Sequence, residues 1–63
     1  MEENKSITIR EARIAAGLTQ AEMSRIFEIP VRTIENWESG SRKPPVYVEK
    51  LVIAELNRIA SSK

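Results

Sequence analysis

LTQAE at residues 18–22 and RTIENWESG at residues 32–40 decide the fold of this 63-residue chain. Each segment has the pattern of a short helix, and the connection between them is too tight to be a free loop. Two helices joined in this way must cross at a steep angle, which is the helix-turn-helix arrangement. Gly40 ends the second helix, and the basic, proline-rich sequence SRKPP follows at residues 41–45.

A capping box places the helix that precedes this unit. Thr8 and, three residues later, Glu11 have the spacing in which each side chain accepts a hydrogen bond from the other residue's backbone N–H. The first helix is therefore predicted from Ile9 to Ala16, with Gly17 as its left-handed stop. The polar residues 1–6 are expected to be disordered.

The second helix has the same kind of start. Thr19 and Glu22 form another capping box, and the helix is predicted to run from there to about Phe27. Met23 and Phe27 are four residues apart, so both should face the core.

The third helix is predicted to begin at Pro30 or Val31 and to end at Ser39. Proline suits a helix start, because its fixed φ matches the helix and its missing N–H would have no partner there. Ile34 and Trp37 are expected to point inward. This is the helix that a helix-turn-helix unit offers to DNA.

The fourth helix is predicted to be the longest, from Pro45 to about Ala60, with a tail at residues 61–63. Its apolar residues recur at the spacing of a helix face that packs on a core. The stripe predicted to be buried consists of Val48, Leu51, Val52, Leu56 and Ile59. The sequence thus predicts a single all-α domain over residues 1–63, with four helices, or five if the last one is broken.

Composition narrows the possible functions. The net charge is only +1, but Arg25, Arg32, Arg42 and Lys43 are predicted to lie around one edge of the domain. The chain has no cysteine and no histidine, which removes disulfides, the usual zinc ligands and most nucleophile–base pairs. No apolar run is long enough to span a membrane. We expect a cytoplasmic protein that is not an enzyme and takes no cofactor, metal or small-molecule ligand.

Several motifs together match a known family pattern. From about Ile9 to Leu51 the chain resembles the phage-repressor type of helix-turn-helix domain, which is Cro-like and lambda-repressor-like. The resemblance rests on Gly17-Leu18-Thr19-Gln20, Thr33-Ile34, Trp37-Glu38, Gly40 and the proline after the basic pair. It implies a small transcriptional regulator, a repressor, that binds double-stranded DNA with its third helix in the major groove.

Candidate base contacts lie on the third helix. Val31, Arg32 and Asn36 should project outward from it. Arginine pairs bidentately with guanine, asparagine can pair with adenine, and valine can touch a thymine methyl group. In the alternative interpretation Arg32 and Asn36 are solvated, with Arg32 paired to Glu35 or Glu28.

Candidate phosphate contacts surround these positions. Gln20 begins the second helix, where backbone N–H groups and the helix dipole favour an anion. The family pattern places a hydroxyl at Thr33 and cations just after the third helix, at Arg42 and Lys43, and Ser39 could add a neutral donor. The alternatives are an ordinary exposed glutamine at a helix start for Gln20, a structural role for Thr33, and solvated charge for Arg42 and Lys43.

Three residues are expected to serve the fold. The family pattern pairs Arg13 of the first helix with Glu38, and Trp37 is predicted to be a core anchor. Two positions depart from that pattern. Glu28 stands where a glycine normally ends the second helix, so it must take a positive φ or the turn must differ. Pro30 replaces the usual serine-like cap.

The fourth helix carries more apolar residues than one small core can easily cover. Ile53, Leu56 and Ile59 are predicted to lie farthest from the core. This surplus predicts a homodimer through residues 46–60, in which two copies read two half-sites. It equally fits a different function, a protein-interaction module such as an antitoxin-like or scaffold domain.

Overall fold

The computed structural model describes residues 7–62, so the expected disorder of residues 1–6 falls outside the described part of the chain. Four helices follow one another: α1 (Ile9–Ala15), α2 (Gln20–Phe27), α3 (Val31–Ser39) and α4 (Val46–Ser61). Within residues 7–62 there is no strand. The all-α, four-helix prediction is confirmed, and α4 is continuous, so the five-helix variant does not arise.

Both predicted capping boxes are present. Glu11 donates its backbone N–H to the Thr8 hydroxyl at 3.1 Å, and Thr8 donates its own to the Glu11 carboxylate at 2.9 Å. At α2 the corresponding distances between Glu22 and Thr19 are 3.0 and 2.9 Å. These bonds satisfy donors that a helix start leaves free, which fixes where α1 and α2 begin.

The turn between α2 and α3 contains a strained residue. Glu28 has φ 57°, in the left-handed region that a side chain with a Cβ disfavours. Its backbone N–H and that of Ile29 both donate to the carbonyl oxygen of Ser24. Pro30 is the N-cap of α3 and offers no side-chain bond. The chain therefore keeps the tight turn by placing a glutamate where glycine is the unstrained choice.

The core lies where α1 packs against α4 and α2 packs against α3. Its buried side chains come from all four helices and include Met23, Ile34 and Leu56, which have no exposed surface. Partly buried side chains, among them Phe27, Trp37, Ile53 and Ile59, pack around them. Trp37 thus contacts the core without being enclosed by it.

The predicted orientation of α4 needs two corrections. Leu51 belongs to the stripe predicted to be buried, but it is 67% exposed. Leu56 stands both in that stripe and among the residues predicted to lie farthest from the core; at 0% exposed it confirms the stripe and contradicts the second prediction. The reason is that α1 packs along the face of Val52 and Leu56, four residues apart, and Leu51 lies on the other side of the helix. Ile53 and Ile59 are half-buried against the core rather than free. The exposed apolar surface of α4 is instead at Val46, Tyr47 and Leu51.

Candidate nucleic-acid interface

The α3 helix presents its predicted base-contacting residues at different depths. Arg32 is exposed, and Val31 and Asn36 are half-buried. Within residues 7–62 Arg32 forms no ion pair, so the alternative pairing with Glu28 or Glu35 is not present. An unpaired guanidinium on an exposed helix face is free to donate its fork of N–H groups to a base edge or a phosphate.

A shallow depression joins α3 to the loop after it. Its volume is about 270 Å³, and it is lined by Thr33, Asn36, Trp37, Arg42 and Lys43. One predicted base contact therefore lies beside three predicted phosphate contacts. Arg42 and Lys43 are exposed, and neither forms an ion pair with a described residue. The two cations give this edge an uncompensated positive charge next to α3.

The end of α3 holds this loop in place. The backbone N–H groups of Gly40 and Arg42 both donate to the Asn36 carbonyl oxygen, at 3.1 and 3.2 Å. The Ser39 hydroxyl donates to the same oxygen at 3.2 Å and lies 3.0 Å from the Ser41 hydroxyl. Gly40 has φ 88°, which allows the chain to reverse there. The basic pair is thereby fixed one short turn beyond the helix.

Trp37 lies between this depression and a second, larger recess. The larger one is an open cleft of about 660 Å³ between the start of α1, the end of α3 and the start of α4. Ile14, Val46 and Glu49 line it, and Trp37 and Lys43 line both recesses. The indole therefore has surface on the solvent side as well as on the core side, which accounts for its partial burial.

An ion pair connects α1 to the end of α3. Arg13 donates through Nε to Oε2 of Glu38 at 2.8 Å and through Nη2 to Oε1 at 3.1 Å. Its remaining nitrogen, Nη1, donates to the Leu18 carbonyl oxygen at 2.9 Å. The two side chains are only 13% and 6% exposed. This two-pronged pairing is the geometry in which arginine and a carboxylate attract most strongly.

Gln20 also belongs to this cluster. Its amide nitrogen donates to Oε1 of Glu38 at 3.0 Å. Burial alone would raise the pKa of Glu38, but the hydrogen bonds from Arg13 and Gln20 and the positive charges of Arg13 and Arg10 lower it below its ordinary value. Glu38 is therefore an ionised acceptor shared by α1 and α2. The sequence contained no signal for the Gln20 bond, because the two residues lie 18 positions apart.

The family comparison agrees with this geometry. A family model described as helix-turn-helix, HTH_3, matches residues 9–52. This chain belongs to that helix-turn-helix family. The family is the phage-repressor type that the sequence motifs indicated, so that expectation is confirmed. Comparison with curated proteins and with solved structures gives no match.

The helix-turn-helix match covers the whole candidate interface. It begins at the first residue of α1 and includes α2, α3, the basic loop and the first turns of α4. Members of this family bind DNA sequence-specifically as transcription regulators. The matched segment contains all the residues predicted to contact DNA.

Residues 7–62 contain no group of three or more acidic side chains placed to hold a metal ion. None of the described helices is both long enough and apolar enough to cross a bilayer.

Proposed function

We propose that this domain binds double-stranded DNA sequence-specifically and represses transcription by occupying its site. The observation that carries the proposal is the exposed, unpaired Arg32 on α3, a helix that also lines a depression with the exposed cations Arg42 and Lys43. An exposed arginine on a helix that lies beside two further cations fits a helix that enters the major groove and contacts the sugar-phosphate backbone.

Base reading is assigned to three residues of α3. Arg32 would pair with a guanine edge, Asn36 with an adenine edge, and Val31 would contact a thymine methyl group. Arg32 is the most accessible of the three, and the others are half-buried. We therefore assign the strongest base preference to Arg32.

Phosphate contacts are assigned to the start of α2, to α3 and to the loop that follows α3. Gln20 begins α2, where the helix dipole favours an anion, and Arg42 and Lys43 supply full charges. Thr33 lies in the same depression as both cations. The Ser39 hydroxyl already donates to Asn36, so its contribution to a phosphate would come from an exchange of that bond.

A homodimer through α4 completes the proposal. Val46, Tyr47 and Leu51 are each about two-thirds exposed, at 67%, 69% and 67%. They lie within the predicted interface of residues 46–60, in its first half. Two copies related by a twofold axis would read half-sites one helical turn apart, ~34–36 Å centre to centre. Such a dimer gains specificity that one α3 helix lacks.

The same apolar residues support the second candidate function, a protein-interaction module. Tyr47 and Leu51 would then contact a different protein, and the α3 surface would be ordinary solvated charge. The two functions differ in what they predict for DNA, because phosphate contacts make binding steeply salt-dependent.

Selection of duplexes from a random pool, followed by a salt titration of the selected duplex, tests the proposal. We expect an enriched site with two symmetric half-sites, and affinity that falls steeply with salt. If no duplex is enriched and none binds at low salt, the interaction module becomes the better account.

A further inference from the structure

Glu38 receives hydrogen bonds from two different helices. Arg13 of α1 pairs with both carboxylate oxygens, at 2.8 and 3.1 Å. Gln20, the first residue of α2, donates to Oε1 at 3.0 Å. The Glu38 side chain is only 6% exposed, so these bonds are largely shielded from water. One carboxylate on α3 thus holds the side chain that begins α2.

We propose that Glu38 is a positioning residue that orients the Gln20 carboxamide for a DNA phosphate. A carboxylate only accepts hydrogen bonds, so the nitrogen of Gln20, and not its oxygen, must face Glu38. One amide N–H is used in that bond, and the second is left as a donor for the phosphate. This inference rests on the proposed function, since it assumes that Gln20 contacts the DNA backbone.

The orientation matters because an unrestrained glutamine can turn either end of its amide toward an anion. The carbonyl oxygen would repel a phosphate, whereas the N–H group attracts it. Fixing the side chain in advance also removes the rotamer entropy that would otherwise be lost on binding. The charge of Arg13 offsets that of Glu38, so the carboxylate orients Gln20 without repelling the phosphate.

The substitution Glu38→Gln separates this role from simple electrostatics. It removes a negative charge near the DNA, so a purely Coulombic effect would tighten binding. If Glu38 orients Gln20, binding of the selected duplex should instead weaken, by about 10-fold for one bond to a charged group. Affinity is measured by fluorescence anisotropy and corrected for the folded fraction from circular dichroism.

A double-mutant cycle tests whether the effect passes through Gln20. Gln20→Met keeps the length of the side chain and removes its hydrogen bonds. We expect Glu38→Gln to weaken binding in the natural background and to cause no further loss in the background of Gln20→Met. Equal losses in both backgrounds would overturn the proposal.

Arg13→Lys is the matched control. It keeps a positive charge beside Glu38 but gives up the two-pronged pairing and the bond to Leu18, so it disturbs the fold without removing the acceptor of Gln20. At equal folded fraction we expect its affinity to stay within about twofold of the wild type, since the contact to the charged phosphate is retained. A loss equal to that of Glu38→Gln would mean that Glu38 acts only through the fold.

A measurement on the wild-type protein covers the case in which Glu38→Gln does not fold. NMR relaxation of the side-chain amides compares Gln20 with Asn57, an exposed amide on α4. We expect the Gln20 side chain to be ordered before DNA is added, and the chemical shifts of its amide protons to change when the duplex binds. If the Gln20 side chain is as mobile as that of Asn57, the inference is overturned. If the wild type binds no duplex, the proposed function fails, whereas binding with an unrestrained Gln20 overturns only this inference.

Discussion

Arg13 and Glu38 form a nearly buried ion pair that ties α1 to the last turn of α3, with a shortest N–O distance of 2.8 Å. The bond fixes α3 relative to the rest of the domain at the end from which the basic loop departs. Removing one partner of such a pair leaves the other charge without compensation, which costs more than the loss of an exposed pair.

The ion pair predicts how stability depends on pH. The pKa of Glu38 is lower in the folded protein than in the unfolded chain. Its contribution to the free energy of unfolding is therefore fully present above the unfolded pKa and is lost as the pH falls through the folded pKa. We expect the thermal midpoint to fall in acid, below about pH 4. NMR titration of the Glu38 carboxyl carbon measures the shift directly, and a titration in the ordinary glutamate range would contradict it.

Glu55→Gln provides the control for the pH dependence. The hydrogen bond from Arg58 also lowers the pKa of Glu55, but that pair is exposed on α4. Solvent screens such a pair, so this variant should leave the acid dependence of stability almost unchanged.

Glu28→Gly should stabilise the domain. Glu28 has φ 57°, a left-handed conformation that costs a residue with a Cβ about 1–2 kcal/mol in the folded protein. Glycine removes this strain, but its greater freedom in the unfolded chain takes back about 0.5–1 kcal/mol of stability. We expect a net gain of about 0.5–1 kcal/mol in urea unfolding.

Gly40→Ala is the reverse control for that prediction. Gly40 has φ 88°, and a Cβ there would meet nothing within 4 Å, so alanine adds backbone strain without a steric clash. The strain costs about 1–2 kcal/mol, and the lower freedom of alanine in the unfolded chain offsets about 0.5–1 kcal/mol of it, so the free energy of unfolding should fall by about 0.5–1 kcal/mol. A loss of stability in Glu28→Gly would show that the glutamate side chain supports the turn in some other way.

Lys43→Ala, and separately Arg42→Ala, should weaken binding about equally on all duplexes. Each removes one phosphate contact, so the slope of log affinity against log salt should fall by about one unit. Lys50→Ala, which removes an exposed cation from α4, is the matched control, with all slopes measured on a duplex that carries one half-site so that dimerisation through α4 does not contribute. Unchanged slopes for both loop variants would leave the basic pair as plain surface charge.

Tyr47→Lys combined with Leu51→Lys should abolish cooperative binding to a two-half-site duplex while preserving the fold. Both residues are exposed on α4, so the change does not disturb the core. Asn57→Lys with Ser61→Lys adds the same charge to exposed positions farther along the helix. Analytical ultracentrifugation and DNA titrations report the assembly. Cooperative binding that survives in the first variant would exclude this part of α4 as the interface.

The parts of the fold set by local contacts could be predicted from the sequence. Thr8 and Thr19 cap helices through residues three positions away, so their capping boxes were visible in the chain and are confirmed. The side of α4 that faces the core could not be predicted, because apolar residues occur on more than one side of this helix. Packing against α1 determines which side is buried. For this reason the prediction that buries Leu51 is wrong, and so is the prediction that puts Leu56 farthest from the core, although the buried stripe placed Leu56 correctly.

Two features of the candidate site depend on tertiary contacts, so they could not be predicted from the sequence. The motif indicated Gln20, Arg32 and the basic pair as separate contacts. The bond from Gln20 to Glu38 depends on how the start of α2 meets the end of α3, which no spacing in the chain reports. The half-burial of Trp37 likewise follows from the two recesses that it lines.

In the proposed function, α3 reads base edges through Arg32. Arg32→Ala should cost roughly 1–3 kcal/mol on the selected duplex and remove the preference at one base pair in each half-site. Arg25→Ala removes the same charge from α2 instead, so it should change affinity without changing base preference. The deciding measurement is the affinity of wild type and Arg32→Ala for the selected duplex and for duplexes altered at each base pair in turn. We expect the variant to become indifferent to one base pair per half-site, whereas a uniform loss on every duplex would show that Arg32 does not read a base.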